Sequence, residues 1–219
     1  MTQFGAALPI RTFPVIFAAP SGAGKTSIAR ALATRRKDVE FSISATTRSV
    51  RPGESDGIDY FFRSHAEFRA MIDAGELLEW AEVHGNLYGT PRLNLERARD
   101  RHHFLLLDID VQGSRQIKQA VPESVSIFVL PPSGEELAER LVGRGSEDDS
   151  VRRTRLVAAR AELGAASEFD FVVVNENLVA AVDAVERIID AEAFRSSRCE
   201  VLESHLETLI RGVDRVLEV

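Results

Sequence analysis

The apolar positions of this chain fall into short continuous runs separated by segments with helical spacing. FPVIFA (13–18) is bounded by Pro, Gly and Ser and predicts a buried strand. HHFLLLDID (102–110), SIFVL (126–130) and FDFVVVN (169–175) predict three more. Between the runs, SIARALATRR (27–36), SHAEFRAMIDAG (64–75), NLERARDR (94–101), GEELAERLVGR (134–144) and a stretch from about Val151 to Ala166 space their apolar residues as helices do. Strands that are apolar on both faces, alternating with helices, predict an α/β fold with a parallel central sheet covered on two sides. The polar stretches 44–59 and 143–150 read as moving parts.

Composition narrows the class. A chain of 219 residues, 44% hydrophobic and 28% charged, can bury one good core. Net charge -7 and a pI near 5.4 argue against a general nucleic-acid backbone binder, which needs a basic face. The single cysteine, Cys199, excludes an internal disulfide and suits a reducing compartment. Prolines and Arg11 interrupt MTQFGAALPIRTFPVIF well short of a membrane span, so a cytoplasmic location is expected.

The strongest motif follows the first predicted strand. AAPSGAGKTS (18–27) fits the phosphate-binding pattern, with Ala19 in the first glycine position and Gly24-Lys25-Thr26 opening a helix. Gly22 and Gly24 let backbone N–H groups turn inward, and the helix N-terminus adds partial positive charge. Lys25 can reach terminal phosphates, and the Thr26 hydroxyl can ligate Mg²⁺. Pro20, Ser21, Ala23 and Ser27 complete the expected nucleoside-triphosphate cradle. The Asn-Lys-x-Asp base-reading string of GTPases does not occur. Transfer to a small phosphorylated acceptor then accounts for Arg48 and Arg51, two guanidinium forks on an otherwise acidic, turn-rich loop.

In order along the chain, APSGAGKTS, SATTRSVRPGESDGIDYFF, EWAEVHGNLYGTP, LLLDIDVQG, FVLPPS, RLVGRG and VVVN resemble the guanylate kinase family, over about Phe13 to Ala193. The resemblance implies a three-layer P-loop kinase fold with an inserted mononucleotide-binding subdomain (43–93), a helical lid (134–162), a core made of 13–42, 94–133 and 163–195, and a tail (196–219). It implies Mg²⁺-dependent transfer of the ATP γ-phosphate to GMP, and to dGMP as a further acceptor. Ser44, Arg48, Arg51, Tyr60 and Tyr88 are expected at the GMP phosphate, and Glu79 and Thr90 at the base. A carboxylate takes the guanine N1 and N2 donors and a hydroxyl serves O6, whereas adenine leaves the charge unpaired. The family often has Tyr at the position of Leu87 and Ser at that of Thr90; neither change removes a needed group. Asp108 is expected to hold Mg²⁺ through water and Asp110 to face GMP. Arg140, Arg144 and Arg155 are expected at the transferring phosphates, and Asn175 at adenine.

Plainer readings stand beside these. Glu79 could be a helix-end acid beside a core Trp80, and an acid after a strand is often a helix cap. The five histidines show no metal or catalytic spacing. A non-catalytic interaction module, or a same-fold kinase for another acceptor, are the alternatives to a guanylate kinase. The tail carries Leu202, Leu206, Leu209, Val213 and Val216 at heptad spacing, widened by Val201, Ile210 and Leu217. That seam predicts packing either on the chain's own core or on a second copy.

Overall fold

The computed structural model describes residues 8–83, 85–142 and 149–217. Five strands form a parallel sheet: β1 (Pro14–Ala18), β2 (Val39–Phe41), β7 (Phe104–Asp108), β8 (Val125–Leu130) and β9 (Phe171–Val174), in the order β2-β7-β1-β8-β9. The first apolar run takes the centre, and all five of its residues are buried. Alternation along the strands sorts the core into two faces. Val15, Phe17, Leu106, Ile127 and Val129 pack with Ile28 and Leu32 of α1 (Lys25–Arg35) and Val185 and Ile189 of α7 (Leu178–Ala193). Ile16, Leu105 and Leu107 pack on the other side with Leu95 and Ala98 of α3 (Arg92–Asp100) and Ile117 of α4 (Val111–Ala120). The expected three layers are present.

A second sheet was not legible in the periodicity. β3 (Ala45–Thr46), β4 (Phe61–Phe62), β5 (Leu77–Val83) and β6 (Asn86–Pro91) run in the order β4-β3-β6-β5, antiparallel except for β3 with β4. Two of these strands are only two residues long, too short to show a period of two. Their small core (Ala45, Leu77 and Leu87) is closed by Phe68 of α2 (His65–Asp73). The capping box predicts that helix's start: Ser64 Oγ accepts from the Glu67 N–H, and Glu67 answers at the Ser64 N–H. β2, α4 and α7 were likewise absent from the expected elements.

α5 (Gly134–Val142) and α6 (Asp149–Leu163) pair through Leu137, Leu141 and Ala159. The tail forms α8 (Leu202–Leu217), tethered at its start where Cys199 bridges Ile10. The heptad seam does not pack on the core. Leu206, Leu209, Ile210, Val213, Val216 and Leu217 are 41 to 78% exposed, and no described residue of α8 is buried. Among the described residues, no helix is long and apolar enough to cross a membrane.

Candidate functional site

β1 ends at Ala18 and the chain must turn sharply into α1, whose first residue is Lys25. Gly22 and Gly24 both take φ 88°, a left-handed conformation that residues with a Cβ rarely adopt. α1 has no acid in its first turn, so its positive dipole end faces the loop without a carboxylate of its own. Because Phe17 of β1 lies opposite Asp108 of β7, the start of α1 falls beside the end of β7. Lys25 Nζ pairs with Asp108 Oδ1 at 2.7 Å and donates to the Ile109 carbonyl at 2.6 Å. Thr26 Oγ1 donates to Asp108 Oδ2 at 2.6 Å. Two consecutive residues thus hold both oxygens of one carboxylate.

The rest of the loop is braced from three directions. The Ala23 N–H donates to the Pro20 carbonyl at 3.1 Å, and the Ser27 N–H to the Gly24 carbonyl at 3.1 Å. The Ser21 N–H points at Glu162 Oε2 of α6, 3.3 Å away. Burial raises the Glu162 carboxyl above its ordinary range. From above, α5 covers the loop: a Cβ on Gly22 would stand 3.6 Å from Arg140 Cβ and from methyl groups of Leu137 and Leu141. From below, buried Asn175 at the end of β9 donates its amide to the Ala23 carbonyl at 2.8 Å. A Cβ on Gly24 would collide with that same amide nitrogen, so Gly24 serves packing as well as φ. Asn175, expected at adenine, here holds the loop. Arg140 is engaged by Glu136 one turn back at 2.8 Å, and half-buried Arg155 lies on α6. Arg144 lies outside the described residues.

A second cluster forms two residues beyond Asp108. Asp110 is the N-cap of α4, and its Oδ1 accepts from the Gly113 N–H at 2.7 Å. The capping role considered for it is therefore present. Glu79 lies on β5, not at a helix end, and Trp80 beside it is 42% exposed and not core. Thr90, opposite Glu79 in the β5/β6 ladder, donates its hydroxyl to Glu79 Oε1 at 2.7 Å. Burial of Glu79, with Asp110 nearby, raises its carboxyl to about 7 against the help of the Thr90 hydroxyl.

The third cluster is the arginine loop. Glu54 grips Arg48 with both oxygens, 2.9 Å to Nη1 and 2.8 Å to Nη2, and also accepts from the Arg51 N–H at 2.9 Å. Sequence reasoning passed over Glu54, as it did Glu162. An acid three residues after Arg51 in a Pro-Gly turn was the available signal for the first, while 141 residues separate Ser21 from Glu162. The Arg48 guanidinium sits 5.2 Å from the Tyr60 ring centre, and the Tyr60 and Tyr88 rings meet edge to face at 6.1 Å. Burial pushes the Tyr60 phenol above its ordinary value. Ser44 immediately precedes β3, and its carbonyl accepts from the Phe61 N–H. The Arg51 side chain is exposed at the rim.

A parallel sheet whose central strand feeds a glycine loop and a helix N-terminus defines a P-loop protein of the α/β class. Comparison with known proteins narrows this. The guanylate kinase family model matches residues 11–192. The guanylate kinase of Desulfitobacterium hafniense is 46% identical over 84% of this chain and 92% of its own length. That of Bordetella pertussis is 48% identical over 86% and 87%. A crystal structure of guanylate kinase from Anaplasma phagocytophilum superposes with TM-score 0.76 at 35% identity, covering 92% of this chain and 96% of that one. The chain belongs to the guanylate kinase family.

Proposed function

We propose that this protein transfers the γ-phosphoryl group of ATP to GMP, giving ADP and GDP, and that the three clusters divide the work. One observation carries the reading. Asp108 at the end of β7 contacts Lys25 and Thr26, and two residues later Asp110 lies near Glu79, which Thr90 contacts; this arrangement supports phosphate and base sites on one short connection. Ligands of open parallel sheets bind at such strand ends.

In this reading the phosphate loop and α1 hold the ATP phosphates, and Lys25 leaves Asp108 for the β- and γ-oxygens. Arg140, Arg144 and Arg155 of a helical lid (134–162) neutralise charge as the phosphoryl group moves. The small sheet (43–93) is the GMP subdomain. Ser44, Arg48, Arg51, Tyr60 and Tyr88 take the acceptor phosphate, a dianion that competes with the single charge of Glu54 for the Arg48 fork. Glu79 accepts from guanine N1 and N2, Thr90 faces O6, and Asp110 supports them. The attacking GMP oxygen is already anionic near neutral pH, so no side chain must act as base. Transfer then depends on positioning and charge.

Mg²⁺, when bound, would draw charge from the phosphate oxygens. The touching Thr26 hydroxyl and Asp108 carboxylate are hard oxygen donors that suit it, Asp108 acting through water. Cys199 as the sole cysteine supports a cytoplasmic location. The exposed heptad face of α8, beyond the family match at residue 192, supports self-association of two copies. A coupled assay of ATP against GMP, dGMP, AMP, UMP and ribose bisphosphate tests the function. Turnover confined to GMP and dGMP is expected; preference for another acceptor, or no turnover, overturns it.

A further inference from the structure

Gly113 and Gln116 lie nearly one turn apart on α4, and both meet β5 of the other sheet. Gln116 Oε1 accepts from the Trp80 N–H at 3.2 Å, and its Nε2 donates to the Trp80 carbonyl at 2.9 Å. β5 is an edge strand, so among the described residues these backbone groups have no further strand to bond. Gln116 supplies both halves of a missing ladder rung. The residue before Trp80 is Glu79, whose carboxylate reaches over the first turn of α4. A Cβ on Gly113 would stand 2.8 Å from Glu79 Oε2, 3.3 Å from its Cδ and 3.4 Å from Asp110 Oδ1.

The backbone does not demand glycine at this position. Gly113 is helical and is absent from the positive-φ residues, and alanine would suit a helix better. What the position requires is space. With no side chain, Gly113 admits the Glu79 carboxylate beside Asp110, while its N–H holds Asp110 at 2.7 Å. We propose that Gly113 and Gln116 are positioning residues for the acceptor base: Gln116 fixes the strand that carries Glu79, and Gly113 clears the place its carboxylate occupies. The inference rests on Glu79 reading guanine, and the test separates the two claims.

Full-length Gly113→Ala, Gln116→Leu and Glu79→Gln proteins are compared by kcat and KM for GMP and for AMP, ATP affinity by calorimetry, and melting temperature. In Gly113→Ala the Glu79 oxygen must retreat by about half an ångström to regain ordinary contact, and displacements of that order cost about tenfold in kcat/KM. The loss is expected mainly in KM for GMP, with a lower GMP-to-AMP ratio and unchanged ATP affinity. Gln116→Leu should change the same quantities in the same direction. A merely structural glycine predicts the reverse: a higher melting temperature and unaltered kinetics. If Glu79→Gln loses discrimination while Gly113→Ala and Gln116→Leu keep it, the positioning claim is overturned and base reading by Glu79 stands. If Glu79→Gln keeps discrimination, both claims fall.

Discussion

Glu79→Gln exchanges a buried carboxyl for a neutral amide of the same shape, and it should move stability and specificity in opposite directions. Glu79 is 6% exposed, and burial lifts its carboxyl from the usual 4.5 to about 7. In the unfolded chain the group returns to its ordinary value. Between those two values the folded protein holds a proton that the unfolded chain has released. The group's contribution to stability is therefore fully present below the unfolded value and is lost as pH rises through about 7. A difference of this size corresponds to roughly 3 kcal/mol. Gln carries no such pH dependence, so the variant should gain on the wild type by up to roughly 3 kcal/mol between about pH 5 and about pH 8. Urea unfolding of both proteins at stepped pH and constant ionic strength measures it. A stability difference that stays flat across that range refutes the reasoning. At the alkaline end the variant should lose GMP-over-AMP discrimination by roughly ten- to a hundred-fold, because an amide donor then opposes guanine N–H where a charged acceptor stood. If Glu79 reads the base as proposed, stability here is held below its maximum for the sake of binding.

Lys25→Ala should lower kcat by roughly a hundred-fold or more while the fold survives, and turnover near the wild-type rate would remove the phosphate-loop assignment. Arg48→Ala and Arg51→Ala should each raise KM for GMP and leave ATP affinity nearly intact, at roughly 1.5–3 kcal/mol per charged contact. GMP titrations in a calorimeter check this, and unchanged affinity in both variants rejects the acceptor-phosphate role. Truncation after Arg198 should keep the phosphotransfer chemistry but lower oligomeric order or stability. Light scattering that finds the full chain monomeric at high micromolar concentration would dismiss association through α8.

Continuous apolar runs such as PVIFA and FLLLD are self-sufficient signals, because a strand buried on both faces must be apolar throughout. The phosphate loop is equally local: two left-handed glycines, a lysine and a hydroxyl within one strand-to-helix turn. Those features, the helices α1, α2, α3, α5 and α6, and the family were legible in the sequence alone, whereas α4 and α7 were not. The small sheet was not, since β3 and β4 gain their identity only by pairing with each other and with β6. Nor could spacing place Glu162 at Ser21 or Asn175 beneath Ala23, the latter reaching across 152 residues. The heptad in the tail was legible, but its exposure was not, because a pattern specifies which face is apolar and never what that face meets. Tertiary structure decided these points for one physical reason. Burial, ionisation and contact depend on neighbours brought together by folding, and sequence spacing speaks only for residues within a turn or a strand of each other.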